Sequence, residues 1–371
     1  MTNSPLIGQT DLNVDDDIID DSEKDDSAPQ VRYDITSYGV DFDVEGIVRR
    51  LDDGDIVIPE WQRSFIWTLR TASSFIESLL LGLPVPGVFL GKDPASRKLY
   101  VIDGQQRLKT LQYFYNSKFP KTDGSHQNFV LQNVSDRFEG LCFSSLDDAD
   151  RRDLNNSLIH ATVVRQDTPP GDDTSMYQIF SRLNTGGRVV NPHEIRCAIY
   201  QGDLIDNIKK LNELTEWRRI LGKPSQRLKD QEMILRFMAL WHAGDEYKKS
   251  MAEFLNVFTQ RNRTPDKAWL NDIAGLFKQT VTAFAEAKGR EAFRLHKARA
   301  VNAAVLDSMM VGLAKRIVYR DNQPTSSEIG NTHDSLTENQ EYLDSVTQGT
   351  SDESSVRIRL QVATAAFADA E

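Results

Sequence analysis

The stretch YVIDGQQRLKTL, residues 100–111, decides the fold class of this chain. Its first four residues, YVID, have the apolar and β-branched character of a buried strand. From Arg107 onward the apolar residues Leu108, Leu111, Phe114 and Tyr115 recur at helical spacing, which predicts a helix. Residues 103–107, DGQQR, therefore stand where a strand passes into a helix, and this junction is a candidate functional site.

The residue types at the junction suit an anion. The first N–H groups of a helix have no helical partner, and the helix dipole favours negative charge there. Gly104 allows close approach, Gln105 and Gln106 offer donors and acceptors, and Arg107, expected to face solvent, can bind a phosphate with two hydrogen bonds. Asp103 could hold a metal or orient a water. In the alternative interpretation, Asp103 caps the helix, Gly104 turns the chain and Arg107 pairs with Asp103.

Length and composition predict a globular protein of one large or two modest domains. The chain has 371 residues, 39% hydrophobic and 27% charged. No apolar run reaches the roughly 18 residues of a membrane helix, and the polar, acidic start does not resemble a signal peptide. Cys142 and Cys197 are too few for a disulfide framework, so we expect a cytoplasmic protein without a membrane partner.

Charge is distributed unevenly along the chain. The net charge is −11, with nine acids and one base in residues 1–30, and ten acids and two bases in residues 321–371. Residues 31–320 are therefore mildly basic. The acidic N-terminal run predicts a solvated, disordered tail. Such a tail could also shield a basic site in the same chain.

Periodicity divides the chain into four parts. We expect a disordered acidic tail over residues 1–30, a mixed domain over 31–200, a helical domain over 201–320, and a polar acidic segment with a final helix over 321–371. Short strands are predicted at 129–131 and 141–143.

A second polar cluster, FSRLNTGGRVVNPHEIR, occupies residues 180–196. Asn184, Gly186 and Gly187 form a flexible connection between two predicted helices, with Arg182 before it and Glu194 after it. The arginine suits a phosphate, and the glutamate suits a metal or a sugar hydroxyl. A helix C-terminus followed by an N-cap with a first-turn glutamate explains the same residues without a ligand.

A third cluster, IPEWQRSFIW, occupies residues 58–67. Trp61, Gln62, Arg63 and Trp67 could form a stacking and hydrogen-bonding wall beside a ligand. The alternative is a set of core aromatic residues with one surface arginine.

In the order IPEWQRSFIW, VIDGQQRLKTL and FSRLNTGGRVVNPHEIR, these clusters resemble the N-terminal domain family of the GmrSD type IV restriction systems. The resemblance covers residues 35–200 and extends weakly into the helical part. It implies an α+β protein: a ParB/sulfiredoxin-like domain with a small mixed sheet, followed by an all-α domain.

The resemblance implies a nucleotide-binding, NTP-hydrolysing component of a bacterial restriction-like or anti-phage defence system. Hydrolysis would use a nucleoside triphosphate with Mg²⁺. The residues that match the family motifs fall into three implied roles: catalytic, Asp103, Gln105 and Gln106; phosphate-binding, Gln62, Arg63, Gly104, Arg107, Arg182, Asn184, Gly186 and Gly187; and metal-binding, Glu194.

The chain departs from full-length members of that family in its histidines. None of the six lies in a paired His–Asn–His context, so we expect the nuclease on another chain, with DNA bound directly or through that partner; an oligomer is left open. Two alternatives stay open: a DNA-binding adaptor with a ParB-like fold and no turnover, using Arg63, Arg107, Arg182 and Arg188, or a metal-dependent DNA nickase using Asp103 and Glu194.

Overall fold

The computed structural model describes residues 18–20, 34–59, 65–93, 96–121, 123–168, 191–296, 298–320 and 324–368. The chain forms two compact units, residues 31–190 and residues 1–30 together with 191–371. We call them the sheet unit and the helical unit. The boundary falls ten residues before the predicted end of the mixed domain.

A five-stranded mixed sheet organises the sheet unit. Its strand order is β2-β8-β4-β5-β3, with β2 antiparallel to β8, β8 parallel to β4, β4 antiparallel to β5 and β5 parallel to β3. A separate hairpin pairs β6 with β7. The strands of this unit are β2 (Asp34–Asp43), β3 (Ile56–Val57), β4 (Val88–Lys92), β5 (Leu99–Asp103), β6 (Lys118–Pro120), β7 (His126–Asn128) and β8 (Leu158–Thr168).

The described part of the sheet unit also contains four helices: α1 (Val44–Asp52), α2 (Leu69–Leu80), α3 (Gln105–Tyr115) and α4 (Asp148–Asn156). They share one core with alternate residues of the central strands, including Leu90, Val101 and Ala161, all of them buried. Strand residues two apart point to the same face, so the core lies on one side of the sheet. The predicted small mixed sheet is confirmed.

The predicted short strands at 129–131 and 141–143 are wrong. Phe129 and Leu131 are fully buried, but they enter the core from an irregular segment, in which Leu131 N donates to Leu141 O and Gly140 N donates to Leu131 O. Their apolar side chains pack in the core, but their main chain does not form a β-strand. Helix α4 was not foreseen because Leu154 is its single large apolar residue, and its start depends on the Asp147 cap.

The helical unit contains ten described helices and a short parallel pair of strands, β1 (Ile18–Ile19) with β9 (Val301–Asn302). The helices are α5 (Pro192–Ile199), α6 (Asp203–Asn212), α7 (Thr215–Leu221), α8 (Lys229–Ala243), α9 (Met251–Arg261), α10 (Lys267–Ala287), α11 (Ala303–Arg320), α12 (Ser326–Glu338), α13 (Gln340–Thr347) and α14 (Glu353–Ala368). Together with the sheet unit, this is the predicted α+β class with a helical part after the sheet.

Helix α11 forms the centre of the helical unit, because all residues from Ala303 to Ala314 are buried. It packs against α8 and α14. At Gly312 a Cβ atom would stand 2.9 Å from the main chain of Ala363 in α14. Glycine therefore lets the two helix backbones approach closely.

A buried cluster of charges lies on α11. Asp307 accepts bonds of 2.9 Å from Arg236 Nη2 and from Arg359 Nε and Nη2. Arg236 Nη1 donates 2.6 Å to Asp20, whose side chain is only 3% exposed. Burial lowers the pKa of Arg236, but the carboxylates of Asp20, Asp307 and Glu232 more than compensate and raise it.

The same contact ties residues 18–20 to the helical unit. The acidic composition predicts a disordered tail for these residues, whereas in the structure Ile18 and Ile19 form β1 and Asp20 completes the charge cluster. Residues 326–347, expected to be a polar segment, form α12 and α13, which bury Ile329, Leu336 and Tyr342. Across the described parts of the chain, no helix combines the length and apolarity needed to cross a membrane.

We predict that Asp20→Asn destabilises the helical unit by about 3–5 kcal/mol, because it leaves one positive charge of the buried cluster without its carboxylate. Urea unfolding followed by circular dichroism measures this change. Asp272→Asn, an exposed acid on α10, is the matched control. Equal unfolding midpoints for the two variants would contradict a structural role for Asp20.

Candidate functional site

Strand β5 passes into helix α3 through a single residue, Gly104. Its φ of +103° lies in the left-handed region that favours glycine. A Cβ atom here would lie 2.4 Å from Val88 Cγ1, on the neighbouring strand β4. Both the backbone angle and the space therefore require glycine, and the turn brings the start of α3 directly against the end of the sheet.

The N-terminus of α3 begins without a side-chain cap, because glycine occupies the N-cap position. The first N–H group bonded within the helix is that of Leu108, which donates 3.0 Å to Gly104 O. The N–H groups of the preceding first-turn residues have no acceptor within the helix. Asp103 does not cap the helix, since its carboxylate accepts a bond from Arg107.

Gln106 links the start of α3 to the end of the IPEWQRSFIW cluster. Its Oε1 accepts bonds from Ile66 N at 2.9 Å and Trp67 N at 3.2 Å. These two donors determine which end of the amide is oxygen. Gln106 is only 8% exposed, and among the described residues none accepts a bond from its Nε2. The buried amide nitrogen is therefore a donor that lacks a protein acceptor.

Arg107 is held inside the junction, contrary to the expectation that it faces solvent. Its Nη2 donates 2.9 Å to Gly87 O and 2.9 Å to Asp103 Oδ2, and its side chain is 17% exposed. The Asp103 side chain is 48% exposed. This pairing matches part of the alternative interpretation, in which Arg107 pairs with Asp103. Arg107 Nε, like Gln106 Nε2, has no acceptor among the described residues.

The structure thus brings together Asp103, Gly104, Gln105, Gln106 and Arg107, and buries both glutamines. It adds two contacts that spacing does not reveal: Gly87, whose carbonyl holds Arg107, and Val88, which lies beneath Gly104. Sequence reasoning missed them because they lie about twenty residues away along the chain, Val88 at the start of β4 and Gly87 just before it. Six predicted site residues lie outside the described residues: Gln62, Arg63, Arg182, Asn184, Gly186 and Gly187.

Trp67 belongs to the aromatic packing of the sheet unit. Its ring meets Phe75 edge to face, with centroids 5.7 Å apart, and it packs against the core. The preceding Phe65 packs in the same way on Tyr113 and Phe119. For Trp67 the structure therefore matches the alternative of core aromatics.

Glu194 lies in the helical unit, where it forms a capping box at the start of α5. Its Oε2 accepts 2.6 Å from Asn191 N, while Asn191 Oδ1 accepts 2.8 Å from Glu194 N. Arg227 Nη2 lies 3.7 Å from the same carboxylate. These contacts agree with the ligand-free interpretation of this cluster. Within the described residues, no three His, Cys, Asp or Glu side chains gather as a metal site.

Next to Glu194, His193 is packed as a neutral ring. Arg196 Nη1 lies 3.1 Å from His193 Nδ1, and Cys197 Sγ lies 3.3 Å from Nε2. Burial, and then the charge of Arg196, hold the pKa of His193 well below its usual value. Burial also raises the pKa of Cys197 to about 12, so its thiol is not a ready nucleophile.

Residues 44–201 match the model of the GmrSD restriction endonuclease N-terminal domain. This part of the chain, less than half of its length, is similar to the N-terminal domain of restriction endonucleases of that family. No curated protein matches the chain. Membership of the ParB/sulfiredoxin-like superfamily stays a prediction.

We predict that Gly104→Ala destabilises the sheet unit by more than 2 kcal/mol, because the left-handed backbone alone costs about 1–2 kcal/mol and the contact with Val88 adds to it. Gly82→Ala is the control, since Gly82 has φ +67° with open space around it. Thermal or urea unfolding compares the two. If Val88→Ala does not recover part of the loss in Gly104→Ala, the steric explanation is incorrect.

We also predict that the helical unit loses stability as the pH falls from 7.5 to 5.5. The unfolded chain binds a proton at His193 below about pH 6.5, whereas the folded protein does not, which corresponds to about 1.4 kcal/mol at pH 5.5. Urea midpoints at both pH values measure the change, and His193→Gln should reduce the difference. An undiminished pH dependence in that variant would show that His193 is not its source.

Proposed function

We propose that this chain binds and hydrolyses a nucleoside triphosphate at the start of α3 and thereby regulates a nuclease supplied by another chain. The observation that carries the proposal is the buried Gln106 Nε2, a donor in the first turn of a helix whose N-cap is glycine, for which the described residues offer no acceptor. The restriction-system domain supports the biological setting.

Phosphate oxygens supply what this junction lacks. The positive end of the α3 dipole favours an anion, and Gly104 presents no side chain that would obstruct its approach. Gln106 Nε2 and Arg107 Nε are two further donors that need acceptors. A triphosphate can satisfy several of these donors together, because each phosphate carries several acceptor oxygens.

Asp103 is the half-exposed carboxylate at the end of β5 and is suited to orient an attacking water or to hold Mg²⁺. Mg²⁺ commonly binds through one or two carboxylates together with substrate phosphates, so a site with one protein carboxylate fits this ion. When bound, the ion would neutralise charge that develops on the phosphate oxygens. In this proposal Asp103 exchanges part of its contact with Arg107 for the water or the ion, and Arg107 turns toward phosphate.

The other two candidates have weaker support. A nickase that uses Asp103 and Glu194 would need the Glu194 carboxylate, which already accepts from Asn191 N and faces Arg227. An adaptor that uses Arg107 on DNA would need the same release of Arg107 from Asp103 and Gly87, and it assigns no role to the buried Gln106 Nε2.

We predict that Gln106→Glu lowers triphosphate affinity at least tenfold while the protein stays folded. Glutamate keeps an acceptor for the Ile66 and Trp67 N–H groups, but it removes the free donor and adds a negative charge beside the phosphates. Titration with ATP, GTP, CTP and UTP in the presence of Mg²⁺ measures affinity. Gln132→Glu, an exposed position in the same unit, makes the same charge change and should leave affinity unaltered.

Phosphate release measured in the same samples tests hydrolysis, and Asp103→Ala should abolish release while binding persists. Wild-type protein that binds none of the four triphosphates would refute the proposal. Arg107→Ala is a poor test, because it also removes the bonds to Gly87 and Asp103 and so weakens the fold.

A further inference from the structure

The helical unit carries a basic surface that the proposed nucleotide site does not use. Two segments contribute to it, residues 216–229, which include most of α7, and residues 288–299, which follow α10. Each segment contains five basic residues and one acidic residue. The acids are Glu216 and Glu291.

Arg294 connects the two segments through hydrogen bonds to their main chains. Its Nη1 and Nη2 donate to Ile220 O at the end of α7, at 3.2 and 3.3 Å. Its Nε donates 2.8 Å to Arg299 O, and Nη1 also donates to Arg290 O. These bonds to main-chain carbonyls hold the segment that bears Arg290 and Arg299 against α7.

Two exposed arginines reach across the join. Arg219 Nε lies 3.8 Å from the position of a Cβ on Gly289, and Arg290 Nη2 lies 4.0 Å from that of a Cβ on Gly222. Each guanidinium therefore rests over the main chain of the other segment. Lys223 and Arg299 are exposed on the same two segments.

These four bases differ from their neighbours in that no described acid pairs with them. Within the parts of the chain that the structure describes, Arg219, Lys223, Arg290 and Arg299 form no ion pair. By contrast, Arg218 pairs with Asp230 at 2.9 Å, Arg227 with Glu194 at 3.7 Å, and Lys288 with Asp334 at 2.6 Å. The paired bases support the fold, and the four unpaired ones form a positive surface, which we call the α7 patch.

We propose that the α7 patch binds the phosphodiester backbone of duplex DNA. Exposed arginines without acidic partners bind successive phosphates and contribute affinity without reading bases. The chain as a whole carries a net charge of −11, so attraction of DNA requires a local concentration of unpaired bases such as this patch. The choice of DNA as the bound polyanion rests on the proposed function. The existence of the patch does not depend on whether the chain binds a nucleotide.

The test is fluorescence anisotropy of a labelled 30-base-pair duplex with the full chain, measured from 50 to 300 mM salt. The double variant Arg219→Glu/Arg290→Glu should bind at least tenfold more weakly at 150 mM salt. The slope of log affinity against log salt should fall by about 2, one per lost phosphate contact. The control is Arg261→Glu/Lys267→Glu, an identical charge change at exposed positions near the other end of α10, about 30 Å away along that helix.

The outcomes separate the patch from the nucleotide site. If the Arg219→Glu/Arg290→Glu variant binds DNA more weakly with unchanged triphosphate affinity, the result supports DNA binding by the patch. This conclusion holds whether or not Gln106→Glu changes triphosphate affinity. An equal loss in the control variant would mean that only overall charge matters, and wild-type protein that does not bind the duplex would overturn the proposal. Tighter binding of a single-stranded RNA of the same length, lost in the same variant, would also contradict it.

Discussion

The contact of Gly104 with Val88 is the constraint on which the candidate site depends. Gly104 can lie against Val88 because it carries no Cβ atom. The chain therefore passes from β5 into α3 through this one residue. That tight exit places the first turn of α3 at the end of the sheet and lets Arg107 reach the carbonyl of Gly87. A longer connection would separate the first turn of α3 from the sheet. The buried donors of Gln106 and Arg107 would then no longer be held at one place.

The two units use buried polar groups in different ways. In the helical unit, Asp307 satisfies Arg236 and Arg359, and Asp20 supplies the remaining carboxylate, so the charges are matched. At the start of α3, Gln106 Oε1 accepts two hydrogen bonds, whereas Gln106 Nε2 has no acceptor among the described residues. A satisfied network stabilises a fold, whereas an unsatisfied donor in a buried position indicates a place for a ligand.

Particular residues show how far the pattern of the sequence could be followed. The apolar spacing from Leu108 to Tyr115 predicts α3, and the Asn191–Pro192 pair predicts the start of α5. The same reasoning predicted a strand at Phe129 and Leu131, because apolar residues that favour strands occur there. In the structure these residues pack in the core from an irregular segment. It also placed Arg107 in solvent, since the acceptor at Gly87 is twenty residues away in sequence.

The sequence alone determined the strand-to-helix junction, the α+β class and the family-like order of motifs, because these depend on local periodicity and on residue types at fixed spacing. Only the tertiary structure decided that Gln106 keeps one unsatisfied donor, that Asp20 belongs to a buried charge cluster and that Arg219 and Arg290 lie across one join. Each of these joins residues of separate segments, and hydrogen-bond satisfaction or ion pairing across such distances depends on where the chain returns in space.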